Sequence, residues 1–354
     1  MPRAAPLTSV LRLRPTCAHN IYGRSMRRSI TVVGCHAGGE VGNVVVAGVE
    51  PPPGETVRER MEALRADDRL RRFLLREPRG SVATHANLIV PSSRDDCAFG
   101  YVFMEPTEYP LMSGSNTICV ATVLLETGMV EMHEPETVVR LEAPAGVVEV
   151  RCACREGRVE SVELTNVPAY ATHLGEEIDV PGIGKVAVDV AFGGMWYAIA
   201  DAAALGFALE PHEARELCDF GEAIRVAARE HLTPDVSIVQ LAGPWHGVGA
   251  VSRNAVVIAP GRLDRSATGT GLSARMAVLH ARGLMAVGDT MSHASPIGSV
   301  FEGRIVAEAE RGIVPAIRGS AFVTGRSELY VDDRDPYPEG YLLSDTWPGD
   351  DVQH

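Results

Sequence analysis

The chain has 354 residues, of which 45% are hydrophobic, and a formal net charge of -13 at pH 7. This acidic balance excludes an extended nucleic-acid-binding surface, which needs basic patches, and no apolar run reaches the roughly 18 residues that a membrane-spanning helix needs. The seven cysteines are odd in number and scattered, which excludes a disulfide framework and is typical of a cytoplasmic enzyme.

The first 28 residues differ in composition from the rest of the chain. They contain six arginines and no acidic residue, a pattern that targeting peptides share. Met26 precedes the first predicted strand, residues 29–33, so an over-long start assignment explains the same pattern. We favour the second interpretation over a targeting peptide, and expect residues 1–28 to be a disordered or spurious extension.

The next part of the chain alternates strand-like and helical segments. A charged, periodic stretch predicts one surface helix over residues 56–73, and strands are expected over residues 86–90 and 98–104. Residues 137–154 predict a hairpin that turns at Pro144-Ala145-Gly146. Its Cys-x-Cys pair has no partner pair elsewhere, so strand packing is the expected role of both thiols.

A hydroxyl-rich run, MSGSNT at residues 112–117, stands between these segments. The stretch that follows it contains no internal Gly or Pro and ends at Gly128, as helices commonly do. Because this stretch is apolar on all sides, we expect a buried helix that begins just after Ser113.

The second half of the chain repeats this arrangement loosely. A second hydroxyl-rich run, DRSATGTG at residues 264–271, precedes a predicted helix that closes on basic residues and Gly283. The elements expected before it are strands over residues 159–166, 186–190, 196–200, 236–241 and 255–258, and a helix over residues 211–231. The two halves are too different in sequence to be called a repeat.

These patterns predict two α/β domains and a tail. The first domain comprises residues 29–156 and about 305–335, the second comprises residues 157–304, and residues 336–354 form an irregular tail. The N–H groups at a helix start bind carboxylates or phosphates, so two facing helix starts could clamp one small anion. One such loop alone is more often an ordinary N-cap than a site. The second run also lacks the spacing of a nucleotide-binding P-loop.

Six runs in family order carry a resemblance to known proteins. They are HAGGE at residues 36–40, EPRG at 77–80, MSGSNT at 112–117, VDVAFGGMWY at 188–197, DRSATGT at 264–270 and GSVFEG at 298–303. At these runs the chain resembles the proline racemase family. The resemblance implies two similar domains, each with a mixed sheet wrapped around a central helix, as in diaminopimelate epimerase-like proteins, and an active site in the cleft between them. It also implies a small imino acid substrate, no cofactor and no metal, and leaves a homodimer open.

Racemases and epimerases of this family carry a thiol in each of the two loops, one on each face of the substrate's α-carbon. Ser113 and Thr268 stand at these positions. A thiol titrates at about 8.5 and an alkyl alcohol is far less acidic, so this pair predicts poor two-base inversion near neutral pH. The dehydratase branch is more similar, because it keeps a base in the first loop and has Thr in the second. The resemblance therefore implies Ser113 as the base and Thr268 as the group on the opposite face.

Five further site residues carry over from the family by position. Gly114 and Ser115 from the first loop, and Gly269 and Thr270 from the second, are expected to donate hydrogen bonds to the substrate carboxylate. Asp264 matches the acid that binds the ring ammonium, although the sequence alone is equally compatible with a turn or cap residue. The family often has His at the position of Ser115, so the contacts to the substrate differ there.

The resulting expectation is a hydro-lyase that dehydrates trans-3-hydroxy-L-proline to Δ1-pyrroline-2-carboxylate. A 4-hydroxyproline 2-epimerase or proline racemase with the same pocket is the first alternative. The second is a non-catalytic imino-acid binding protein that lost both thiols. His36 is interpreted as part of a structural motif near the pocket, because no second His stands at metal-ligand spacing.

Overall fold

The computed structural model describes residues 28–332 and 334–348. The extension expected over residues 1–28 lies outside this part except for its last residue, and so does the end of the predicted tail. No helix in the described part is long and apolar enough to cross a membrane.

The described part contains strands throughout and a few helices. The strands are β1 (Arg28–Ala37), β2 (Glu40–Ala47), β3 (Thr84–Val90), β4 (Phe99–Met104), β5 (Glu136–Ala143), β6 (Gly146–Arg155), β7 (Arg158–Thr165), β8 (Tyr170–Val180), β9 (Gly184–Phe192), β10 (Trp196–Asp201), β11 (Ile238–Ala242), β12 (Val251–Ile258), β13 (Arg262–Leu263), β14 (Thr290–Ala294), β15 (Val300–Glu308), β16 (Ile313–Gly319) and β17 (Ala321–Val331). The helices are α1 (Val57–Ala66), α2 (Arg69–Leu75), α3 (Gly114–Glu126), α4 (Ala214–His231) and α5 (Gly269–Ala281), with a 3-10 turn before α4.

Strand pairing follows one pattern twice. From β17 through β1 to β7, successive pairs are antiparallel, antiparallel, parallel, antiparallel, parallel, antiparallel and antiparallel. The strands β8, β9, β10, β11, β12, β14, β15 and β16 pair in the same order. An antiparallel pairing of β7 with β16 joins the two sets. The fold is therefore a mixed α/β fold of two similar units. The predicted domain boundary between residues 156 and 157 falls in the β6–β7 hairpin, and the division itself stays a prediction.

Each set of strands surrounds one helix. Helix α3 packs against β1, β2, β7 and β17, whereas α5 packs against β8, β9, β15 and β16. Every residue of α3 from Gly114 to Leu125 is buried, as the all-round apolar sequence predicts for a helix inside a sheet. Both helices occupy the equivalent place in the pairing pattern, between the fifth and sixth strands of their set.

Two glycines let the surrounding backbone reach the starts of these helices. A Cβ on Gly42 of β2 would lie 2.7 Å from Oδ1 of Asn116, and a Cβ on Gly193 would lie 2.2 Å from the backbone oxygen of Thr270. Both distances are too short for a real side chain. Glycine at these positions therefore fixes where the first turns of α3 and α5 sit.

The hairpin predicted over residues 137–154 is confirmed as β5 and β6. The single helix predicted over residues 56–73 is wrong, because the chain forms α1 and α2 with a break at Asp67 and Asp68. Asp67 leaves the helical conformation, with φ -118 and ψ 81, and both side chains form hydrogen bonds with following arginines. Aspartate is also one of the poorer helix-forming residues, so two in succession favour a break here.

Candidate active site

Both hydroxyl-rich loops open into one cavity. From the first half of the chain it is lined by His85, Glu105, Pro110, Met112, Ser113, Gly114 and Ser115. From the second half it is lined by Met195, Tyr197, Ile238, Ile258, Asp264, Thr268, Gly269 and Thr270. All the site residues named from the sequence are among them, and the roles given to them stay proposals.

The starts of α3 and α5 meet at this cavity. A Cβ built on Gly114 would lie 3.9 Å from the Cα of Gly269, so the two first turns are in near contact. The first N–H groups of a helix have no partner within the helix, and they lie at the positive end of its dipole. Two such ends together favour a bound anion between them.

Ser113 precedes α3 as its N-cap residue, in an extended conformation with φ -143 and ψ 128. Its Oγ accepts a hydrogen bond from Nδ2 of Asn116 at 3.2 Å and a longer one from the backbone N of Asn116 at 3.5 Å. The Oγ of Ser115 lies 3.4 Å away. Donors and the helix dipole both stabilise a negatively charged oxygen, so this environment lowers the free energy of a serine alkoxide.

A chain of buried amides fixes which atom of Asn116 faces Ser113. Nδ2 of Asn87 donates to the backbone oxygen of Asn43 at 3.3 Å and to Oδ1 of Asn116 at 2.7 Å. The amide nitrogen of Asn116 therefore faces both Ser113 and Nδ1 of His85, which lies 3.3 Å away.

A buried ion pair lies behind His85. Oε1 of Glu40 accepts a hydrogen bond from Nη1 of Arg262 at 2.7 Å and lies 3.5 Å from Nε2 of His85. The guanidinium of Arg262 also contacts this ring nitrogen. Burial, and then the charge of Arg262, hold the pKa of His85 well below its usual value. His85 is therefore neutral and acts as a hydrogen-bonding link.

Glu40 also holds the second loop in place. Its Oε2 accepts a hydrogen bond from the backbone N of Arg265 at 2.7 Å. Arg265 follows Asp264 directly, so the carboxylate at the end of the HAGGE run ties β2 to the loop that begins α5. His36 at the start of that run accepts a hydrogen bond from the backbone N of Gly39 at 3.1 Å and does not line the cavity.

Thr268 and Asp264 form a closed turn before α5. The Oγ1 of Thr268 donates to Oδ2 of Asp264 at 2.6 Å, and the backbone N of Ser266 donates to Oδ1 at 2.8 Å. Thr268 has a φ of 57, an uncommon conformation for a β-branched residue and one that is frequent at functional sites. The hydroxyl proton of Thr268 is thus committed to a carboxylate.

The cavity holds two carboxyl groups with different proton affinities. Burial and the charge of Glu40 raise the pKa of Asp264 to about 6, although the hydrogen bond from Thr268 opposes this shift. Burial and the charge of Glu108 raise the pKa of Glu105 to about 8. At pH 7 Asp264 is therefore mainly ionised and Glu105 mainly protonated.

Sequence reasoning missed several of these residues. Glu105 follows a predicted strand in a run of ordinary loop composition, and Asn116 looked like one of several cap residues. His85 carried no supporting pattern, and only the resemblance pointed to residues 195–197. Glu40 lay in a noted motif, but its contact with Arg262 spans 222 positions in sequence, which no local pattern reveals.

The chain is similar to known proteins over most of its length. Residues 32–342 match the family described as Proline racemase. A hydroxyproline epimerase from Agrobacterium vitis, solved with bound trans-4-hydroxy-L-proline, is 36% identical with a TM-score of 0.82, over 91% of this chain and 98% of that one. A probable proline racemase from Agrobacterium radiobacter K84, solved with bound carbonate, is 38% identical with a TM-score of 0.83, over 90% of this chain and 98% of that one. A PhzF-family phenazine biosynthesis protein from Bacillus anthracis, 12% identical with a TM-score of 0.57 over 86% of this chain and 99% of that one, shares the fold.

The buried ion pair behind the cavity gives a stability prediction. In Arg262→Met, the Glu40 carboxylate stays buried without its ion-pair partner, and we expect the free energy of unfolding to fall by about 3–5 kcal/mol. The double variant Arg262→Met/Glu40→Gln removes the orphaned charge and is expected to recover part of this loss. Urea-induced unfolding measures both variants. A double variant less stable than the single one would contradict the assignment.

Proposed function

This chain belongs to the proline racemase family, and we propose that within this family it is a cofactor-independent hydro-lyase. Its substrate in this proposal is trans-3-hydroxy-L-proline, and its product is Δ1-pyrroline-2-carboxylate. Ser113 removes the α-proton, Asp264 binds the ring ammonium, and the starts of α3 and α5 bind the carboxylate. Thr268 occupies the opposite face without acting as a second base.

The observation that carries the proposal is the difference between the two hydroxyl groups in the cavity. The Ser113 oxygen accepts hydrogen bonds from Asn116, which favours its deprotonated, basic form. The Thr268 hydroxyl donates its proton to Asp264. Once a ring ammonium neutralises the Asp264 carboxylate, that carboxylate is a weak acceptor for the Thr268 proton. One strong base and one passive alcohol suit proton removal from a single face.

The anion-binding geometry supports a substrate with a carboxylate. Gly114, Ser115, Gly269 and Thr270 belong to the two first turns that meet at the cavity. The two solved relatives were obtained with trans-4-hydroxy-L-proline and with carbonate. A cyclic imino acid combines this anionic group with the cation that Asp264 is suited to bind.

The proposed reaction balances without a cofactor. The Ser113 hydroxyl first gives its proton to solvent. The resulting alkoxide, which Asn116 stabilises, takes the α-proton, and the electron pair of the Cα–H bond forms a double bond to the adjacent ring carbon. The bond from that carbon to the 3-hydroxyl breaks, and the oxygen leaves as water after gaining a proton. The resulting enamine then moves a proton from nitrogen to carbon and becomes the cyclic imine.

A second candidate is epimerisation of a hydroxyproline. The similarity to the epimerase from Agrobacterium vitis favours it. This reaction needs a proton delivered to the face opposite Ser113, and Thr268 is the group from the second loop that could supply it. An alcohol bonded to a carboxylate is a poor proton donor at neutral pH, which is why we place this candidate second.

Three substrates separate the candidate functions. We expect the purified protein to convert trans-3-hydroxy-L-proline to a product lighter by one water, detected by mass spectrometry. Inversion of trans-4-hydroxy-L-proline or L-proline, followed by polarimetry, would instead support an epimerase or racemase. Binding of these imino acids without turnover would support the non-catalytic alternative.

The same assay tests the base. Ser113→Ala is expected to lower kcat by about 10²–10⁴-fold, the usual contribution of a general base. Thr122→Val is the matched control, because Thr122 is buried in the same helix and its hydroxyl has no hydrogen-bond partner among the described residues. We expect the control to keep wild-type activity. Full activity in Ser113→Ala would refute the mechanism.

Asn116 gives a prediction about how serine becomes basic. Replacing it with alanine removes the side-chain donor to the Ser113 oxygen, and we expect kcat to fall by about 10²–10³-fold, as for loss of one oxyanion-stabilising donor. KM is expected to change little, because Asn116 does not line the cavity. A rise in KM of this size with an unchanged kcat would contradict a role in stabilising the alkoxide.

Asp264 gives a pH prediction. Its pKa is raised to about 6, so the carboxylate that binds the ring ammonium is lost as the pH falls below this value. We expect kcat/KM for trans-3-hydroxy-L-proline to decrease with falling pH through about 6. Asp264→Asn should raise KM and abolish this acid limb. An unchanged acid limb in the variant would assign the titration to another group.

A further inference from the structure

Glu105 lies at the end of β4 and faces the cavity. A hydrogen bond of 2.9 Å from its backbone N to the backbone oxygen of Glu108 closes the turn that begins there. Its side chain is half-buried, and no residue within 28–332 or 334–348 donates a hydrogen bond to its carboxyl group. Asp264 in the same cavity accepts two hydrogen bonds. Glu105 is therefore free to bond with a ligand.

Glu105 and Ser113 belong to one connection, the segment between β4 and α3. Both line the part of the cavity that the first half of the chain contributes, whereas Asp264 and Thr268 come from the second half. Groups that approach a bound ring from one side act on the same face of that ring.

The stereochemistry of the proposed substrate needs such a pair. In trans-3-hydroxy-L-proline the hydroxyl and the carboxylate are on opposite faces of the ring. The α-hydrogen is also opposite the carboxylate, so the α-hydrogen and the hydroxyl share a face. The base and the group that protonates the leaving oxygen must then act from the same side.

We propose that Glu105 is the general acid that protonates the departing 3-hydroxyl, on the same ring face from which Ser113 removes the α-proton. This inference rests on the proposed dehydratase function. It adds to it the proton donor for the leaving group, and it makes Glu105 the residue that selects a ring with a hydroxyl on that face.

The proton balance of this step closes within the site. As the C–O bond breaks, the leaving oxygen takes both electrons of that bond and the proton of the Glu105 carboxyl group, and departs as water. Glu105 becomes a carboxylate while Ser113 becomes a neutral alcohol. Glu105 then regains a proton from solvent, as its raised pKa favours at neutral pH, and the Ser113 hydroxyl gives its proton to solvent when the alkoxide forms for the next turnover.

The electrostatic surroundings keep Glu105 protonated at neutral pH. Burial, followed by the Glu108 carboxylate, raises its pKa to about 8, against the opposing charge of Arg262. The other groups that face it are Glu40 on β2 and Asp264 after β13, both of which raise the pKa further, and the neutral His85 and Tyr197 on the cavity wall. Two carboxyls with separated pKa values commonly divide into an acid and an ionised partner.

A change of leaving group tests the assignment. Glu105→Gln keeps the shape of the side chain but cannot donate a proton, and we expect dehydration of trans-3-hydroxy-L-proline to slow by about 10²–10⁴-fold. The 3-fluoro analogue with fluorine in place of the hydroxyl loses fluoride, which needs no protonation. Fluoride release, measured by fluorine NMR, is expected to stay within a few-fold of the wild-type rate.

The outcomes are distinct. Unchanged dehydration in Glu105→Gln, or an equal loss with both leaving groups, would overturn the role of Glu105 while leaving the dehydratase function in place. Release of neither water nor fluoride by the wild-type protein would overturn the proposed function and this inference with it.

Glu108→Gln is the matched control, because Glu108 is exposed and does not line the cavity. At pH 7 we expect this variant to dehydrate the substrate at close to the wild-type rate. The wild-type rate should fall as the pH rises through about 8, where Glu105 loses its proton. Without the Glu108 charge this alkaline limb should move to lower pH, and a limb that stays in place would count against Glu105.

Discussion

The rest of this molecule depends on one constraint, which is that two helices point their positive N-terminal ends at each other. The first turns of α3 and α5 are in near contact at Gly114 and Gly269, an arrangement that is unfavourable unless negative charge lies close by. The protein keeps several carboxyl groups around this point, and the surrounding strands reach it only because Gly42 and Gly193 carry no side chain. In the proposed function, a substrate carboxylate supplies further negative charge between the two helix starts.

The parts of this arrangement that depend on neighbouring residues could be predicted from the sequence. Ser113 as a helix N-cap, the buried helix after it and the helix after Thr268 all follow from local patterns. The break at Asp67 and Asp68 also depends on neighbouring residues. The prediction missed it because it gave more weight to the periodic charge pattern than to the tendency of aspartate to end helices. Local rules thus predicted the two helix starts that line the cavity.

Long-range contacts carried the remaining information. The Glu40–Arg262 ion pair joins β2 to β13, and the Asn87–Asn116 bond joins β3 to α3, so both connect elements that are separated in sequence. The doubled pairing pattern was equally hidden, because the same backbone arrangement is filled with different side chains in its two halves. Which strands pair, and in which order, therefore could not be read from the residue types of either half.

The similarity of the two halves makes their chemical difference informative. The same position before the central helix holds Ser113 in an extended conformation in one half and Thr268 at positive φ in the other. One oxygen receives hydrogen bonds and the other gives its proton away. The two cavity carboxyls differ in the same sense, since Asp264 is satisfied by donors and Glu105 is not. In the proposed function, this symmetric scaffold presents a base and an acid from one half and a cation-binding group from the other, as removal of a proton and a hydroxyl from a single ring face requires.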